Sequence, residues 1–388
     1  MVDTARRFPF LFLLPSLIAG IMAGKLFPNH ISVWIYLFAS AFMIIIKFTK
    51  PYNFQIIEFT TPFYIFFIGI LAYSINIADL FELDSLLSNI TPFSNLKDYL
   101  INKNKLNISN PTICALSNAI CLGDKSGLTN EVKNLFAKCG IMHIVAVSGL
   151  HVGAIYIMAR KVLQLLRIRI IQSKVIAIIF IWIYAIIIGM PPSVLRAASI
   201  LTYVITGELC NKSFSSLNGI LACAFFTLII APNNINNLSF QLSYAAYIGI
   251  ILIFPIFAPA KKGGNKYAKK IIASISVSVA AQLLTTPIAI YYFHGTSINS
   301  FILNILVIPL TSLLLYCDFF TLIAPSPISQ LLGKCVEILG NSIIYITKLI
   351  EPINIYIDNI FMSEVSIIIY YILTFTIFTI IPKYINKF

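Results

Sequence analysis

The sequence predicts an all-α fold, a polytopic integral membrane protein of about 12 transmembrane helices (range 10–12). Three observations carry this expectation. Of 388 residues, 59% are hydrophobic and only 11% are charged, more apolar surface than a soluble domain can hide. The apolar residues come in unbroken runs such as VIAIIFIWIYAIIIG (175–189) and VSIIIYYILTFTIFTII (365–381), near the roughly 20 residues that cross hydrocarbon. The runs do not alternate apolar with polar residues, which excludes barrel strands and leaves helices, whose backbones are satisfied internally in lipid.

Taken in order, the expected spans lie near 8–24, 31–47, 61–78, 141–159, 175–190, 194–209, 217–231, 240–257, 271–292, 298–323, 332–350 and 365–381. Pro309 leaves the span at 298–323 open to division into two half-spans. With 27 basic and 14 acidic residues the chain carries a net charge of +13. That excess follows the positive-inside bias of membrane proteins more simply than it points to a polyanion partner. With a cytoplasmic N-terminus, this count places every basic cluster inside: Arg6-Arg7, Lys47 and Lys50, 160–174, 261–270, and Lys383 with Lys387.

Four regions follow. Residues 1–78 form an N-terminal transmembrane region of about three spans. Residues 79–140 form a short external segment with an amphipathic helix. Residues 141–324 are expected to form a core of transmembrane spans, and 325–388 the C-terminal spans. In the second region GDKSGLTNEVKNLFAKCG (123–140) reads as a helix, with Thr129 as N-cap and Gly140 as its stop. Leu128, Val132, Leu135, Phe136 and Cys139 form one apolar stripe, suited to a membrane surface. Cys114, Cys121 and Cys139 share this polar stretch, and a disulfide among them is open if it faces an oxidising compartment.

Several chemistries are not encoded. No G-x-x-x-x-G-K-[ST] loop occurs, the cysteines form no C-x-x-C pair, and the four histidines show no metallohydrolase spacing. The sequence calls for no cofactor, no metal and no catalytic residue. Candidate path-lining groups lie instead inside apolar segments. In GIMHIVAVSGLHVGAIYIMA (140–159), His143, Ser148 and His151 are costly in lipid and suit a hydrated path. Ser148 and His151, three apart, share a helical face, so a nucleophile–base pair is conceivable, but no carboxylate stands nearby to orient it. Gly149 and Gly153, four apart, suit close helix packing. In GMPPSVLRAASILTYV (189–204), Ser193 caps the next span and Arg196 follows within a turn, either snorkelling or functional. Gln241 and Gln282 in later spans suit either the path or interhelical hydrogen bonds.

These stretches, in this order, resemble the competence domain of ComEC-type DNA-uptake proteins. The resemblance rests on ALSNAICLGDKSGLTNEVKNLFAKCGIMHIVAVSGLHVG, GMPPSVLRAASI, SSLNGILACAFFTLIIAPNNINNLSFQLSYAAYIGI and SVSVAAQLLTTPIAIYYFHGTSINSFILNILVIPL, covering about residues 112–315. It implies a non-enzymatic channel in the bacterial inner (plasma) membrane that admits single-stranded DNA during natural transformation. It also implies membrane lipids as surroundings, a cytoplasmic helicase or ATPase motor acting in trans, and a separate nuclease or DNA-binding protein. Longer members add an external OB-type domain and a metallo-β-lactamase-like domain. Residues 79–111 are too short for the first and nothing after 381 matches the second, so a reduced, channel-only member is expected. The rival expectations are a small-solute or lipid-linked transporter, which would break a helix around a compact mid-membrane site, and a decayed remnant without transport.

Overall fold

The computed structural model describes residues 9–26, 35–36, 54–76, 91–210, 215–258, 265–297 and 300–385, and almost all of them are helical. The first helices are α1 (Pro9–Gly24), α2 (Phe54–Ile75), α3 (Thr91–Asn107), α4 (Pro111–Leu122), α5 (Asn130–Lys138), α6 (Met142–Val145) and α7 (Gly149–Leu165). Next come α8 (Ile170–Ile187), α9 (Pro192–Leu209), α10 (Ser216–Ile230), α11 (Leu238–Phe257) and α12 (Lys266–Phe293). The last are α13 (Ser300–Ile323), α14 (Ile328–Ile350) and α15 (Glu364–Ile385). Two short strands, β1 (Thr296–Ser297) and β2 (Tyr356–Ile357), pair antiparallel with Thr296 opposite Ile357.

Four described helices are long and apolar enough to cross a membrane, over Ile170–Ile187, Leu238–Phe257, Ala268–Phe293 and Ile302–Ile323, and five shorter apolar helices accompany them. The expected count of about 12 is not reached among the described residues. The expected span at 31–47 lies outside them apart from residues 35 and 36, as do Arg6, Arg7, Lys47, Lys50, Lys261, Lys262 and Lys387. The span expected at 298–323 is one helix from Ser300 onward, with Pro309 inside it. The span expected at 141–159 is not one helix: α6 ends at Val145, Ala146 is extended, and α7 starts at Gly149.

The chain forms two compact units, Met1–Ile90 with Ser199–Tyr244, and Thr91–Ala198 with Ala245–Phe388. In the first unit α1 and α2 pack through glycines. A Cβ on Gly20 would strike the Phe66 carbonyl, and one on Gly24 would come within 3.1 Å of the Ile70 oxygen. Small residues four apart let the backbones approach, which in lipid substitutes for the missing hydrophobic drive.

In the second unit α13 and α14 form a hairpin against which α3, α4 and α5 pack. Residues 91–140 thus pack on the rest of this unit. In α4 every residue from Leu116 to Leu122 is buried. Asn110 caps it, accepting from the Thr112 and Ile113 amides at 3.0 and 3.3 Å, and Gly123 ends it at φ 70. The Lys103 ammonium donates to the Leu322 and Ala324 carbonyls at one end of α13, while Gly140 abuts Ser297 and Ser300 at the other. Thr129 does cap α5, and Gly140 follows it in the left-handed region at φ 70. The stripe expected on a membrane surface is instead buried in the protein, from Leu128 to Cys139. Glu131 accepts from Lys348 at 3.0 Å, which ties α5 to α14. All three cysteines of this stretch are free and buried, so no disulfide joins them.

Pro287 within α12 has no amide hydrogen, so the Leu283 carbonyl loses its usual donor four residues on. The Tyr370 hydroxyl of α15 supplies one at 2.9 Å, and Tyr371 donates to the Leu284 carbonyl at 2.6 Å. A proline in an apolar helix is tolerated where a neighbouring helix satisfies the freed carbonyl.

Candidate functional site

The polar groups of the second unit gather where the 141–159 segment breaks. Ser148 precedes α7 in extended conformation, φ −122 and ψ 172. Its backbone amide donates to His151 Nδ1 at 2.9 Å, and its hydroxyl lies 3.0 Å from the same nitrogen. This is a capping arrangement with histidine where glutamate or glutamine is usual. It fixes the tautomer: Nδ1 accepts, so Nε2 carries the proton. His151 is buried, and Nε2 has no hydrogen-bond partner among the described residues. The one in-plane lone pair of Nδ1 is engaged by the backbone, so the ring is a poor base toward Ser148. Ser148 and His151 are within hydrogen-bond reach, but the backbone amide competes for the lone pair that a nucleophile–base pair would need.

The break is held by α9. The Ser193 hydroxyl donates to the Val147 carbonyl at 2.6 Å, satisfying an oxygen the broken helix leaves over. Ser193 thus braces the segment before α7 rather than capping its own helix. Gly149 lies against α9 and α11: a Cβ there would meet Tyr247 Oη at 2.9 Å and the Ala197 Cβ at 3.4 Å. Arg196, beside Ala197, is buried at 5% exposure. At Gly153, by contrast, an added Cβ would meet nothing within 4 Å.

His143 on α6 is exposed and lies near enough to His151 for their charges to interact. The other two candidates lie apart from this group. Gln282 donates to the Ser300 hydroxyl at 2.9 Å, an interhelical bond from α12 to α13. Gln241 belongs to the first unit and donates to the Ile235 carbonyl at 2.9 Å, bracing the turn that leads into α11. Sequence reasoning missed Asp318, fully buried on α13. The signal was present: a lone carboxylate in the apolar run LLLYCDFFTLI. Among the described residues no group of three His, Cys, Asp or Glu side chains is placed to hold a metal.

A family model described as Competence protein matches residues 120–383. The chain is 31% identical over 204 residues to ComE operon protein 3 of Bacillus subtilis, covering 51% of this chain and 25% of that protein. It is 26% identical over 232 residues to an uncharacterized protein of Aquifex aeolicus, covering 59% and 52%. It is 25% identical over 210 residues to Recombination protein 2 of Haemophilus influenzae, covering 51% and 26%. The matched stretches thus span between a quarter and about half of these relatives. No solved structure matches the chain.

Proposed function

We propose, from the premise that this chain belongs to the competence protein family, that it is a multi-pass protein of the bacterial inner membrane that conducts single-stranded DNA inward during natural transformation. Family membership gives the general role in DNA uptake. The observation that supports a channel in this chain is the broken segment between α6 and α7. The same unit of this apolar protein holds an imidazole N–H without an acceptor among the described residues, an exposed His143 and a buried Arg196. Lipid would make each of these costly, whereas a wet path removes the cost.

The groups suit an anion. A strand carries one phosphate charge per nucleotide, and single-strand binders combine cations with aromatic platforms. Arg196 supplies fixed charge, His151 Nε2 a neutral donor, and Tyr247, against Gly149, a ring. Moving the strand toward a negative interior costs about 2.3 kcal/mol per charge per 100 mV. The chain has no P-loop, so a cytoplasmic ATPase must drive import, and a separate nuclease or DNA-binding protein prepares the strand.

The same break favours a second reading, a transporter of small anions or lipid-linked solutes, because such proteins bind substrate at discontinuous helices. Uptake of labelled strands by cells expressing the wild type or Arg196→Ala separates the two. Loss of DNA uptake with normal insertion supports the DNA path; undiminished uptake removes Arg196 from it.

A further inference from the structure

Asp318 lies on α13 with no exposed surface, facing Asn104 of α3 and Ser117 and Cys121 of α4. Its Oδ2 accepts from Asn104 Nδ2 at 3.3 Å, and that amide also donates to Asn118 Oδ1 at 2.9 Å. Ser117 and Cys121 face the carboxylate without closing a hydrogen bond of normal geometry. Three oxygens of this cluster, Asp318 Oδ1, Asn104 Oδ1 and Ser117 Oγ, have no hydrogen-bond partner of normal geometry among the described residues. All three residues are at 0% exposure. The titratable groups packed around Asp318 are Cys114 and Cys121 on α4 and Tyr184 on α8, whose hydroxyl is spent on the Cys121 carbonyl at 2.7 Å. No lysine, arginine or histidine pairs with Asp318 among the described residues.

A buried carboxylate without a counter-charge is strongly disfavoured, and so is each buried oxygen without a donor. Both penalties are relieved by one positive ion that takes oxygen ligands. We propose that Asp318, Asn104 and Ser117 form a buried binding site for a small monovalent cation of the sodium type, holding α3 and α4 to α13. The ligand set is carboxylate, amide and hydroxyl oxygen, the preference of hard cations rather than transition metals. One carboxylate balances one charge, so a divalent ion would leave an uncompensated buried positive charge. The site is independent of the DNA reading and stands or falls without it.

The test is thermal unfolding of the purified full chain in detergent, in sodium chloride against N-methylglucamine chloride at equal ionic strength and fixed pH. Wild type should gain about 3–5 °C at saturating sodium. Asp318→Asn should unfold at the same temperature in both salts. Ser117→Ala, which keeps the charge and the fold, should need several-fold more sodium for half the shift. Equal wild-type midpoints in the two salts would overturn the site and leave a proton or a water as the occupant. A full sodium response in Asp318→Asn, or an unshifted sodium dependence in Ser117→Ala if the first variant fails to fold, would overturn it equally.

Discussion

His151 braces the start of α7 through one ring nitrogen. Its Nδ1 is committed to the Ser148 amide, and this leaves the remaining proton, on Nε2, without an acceptor among the described residues. Ser148→Ala keeps the amide donor and removes only the hydroxyl, so DNA uptake should stay near wild type; a complete loss would revive the serine as a nucleophile. Arg196→Ala should abolish uptake in cells with membrane insertion unchanged, and Arg196→Lys should retain part of it, because the charge persists while the fork geometry is lost. The two glycines of this segment separate cleanly. Gly149→Leu should lower the yield of monodisperse protein on size-exclusion chromatography, since its Cβ would already sit 2.9 Å from Tyr247 Oη. Gly153→Ala should be tolerated and raise stability by up to about 1 kcal/mol, the helix-propensity difference, because nothing lies within 4 Å.

At the scale of elements, hydropathy located most helices because a long apolar run needs no periodicity to be read. The starts of α1, α9, α10 and α13 lie within two residues of expectation. Two features were not legible. The break at 146–148 hides in residues as apolar as a continuous span, and only the brace from Ser193 to the Val147 carbonyl reveals it. The burial of α4 and α5 was hidden because a polar loop and a polar-capped buried helix have similar composition. Only partners distant in sequence, such as Glu337 at the Asn110 amide, distinguish the two. Burial first, and then the Glu351 carboxylate, push the Cys139 thiol up to about 11. Maleimide followed by mass analysis should therefore modify the exposed Cys210 well before Cys114, Cys121 or Cys139. At the exit of α4, burial alone would raise the Asp124 carboxyl, but hydrogen bonds from Ser126 and the charges of Lys97 and Lys105 outweigh it and leave it below its ordinary value. Stability from Asp124 is thus present above the ordinary carboxylate range and lost as pH falls through the folded value. Asp124→Asn should lower the unfolding midpoint at pH 7 and not in strong acid. Between α12 and α15, Tyr370→Phe should cost about 1 kcal/mol in chemical denaturation by orphaning the Leu283 carbonyl.

At the scale of the whole molecule, a competence-family chain carries a broken segment with polar side chains in an apolar helical unit. On the proposed reading, the cation at Arg196 gives the reason an anionic strand would take this route. The measurement that bears most directly on it is entry of a fluorescent single-stranded oligonucleotide into sealed vesicles carrying the purified protein. A lumen-positive potential stands in for the motor, at about 2.3 kcal/mol per charge per 100 mV. The strand should become nuclease-protected inside wild-type vesicles, and not in Arg196→Ala or protein-free vesicles. Protection no greater with wild type than with protein-free vesicles, from a sample whose insertion and folding are shown to be intact, would contradict the channel.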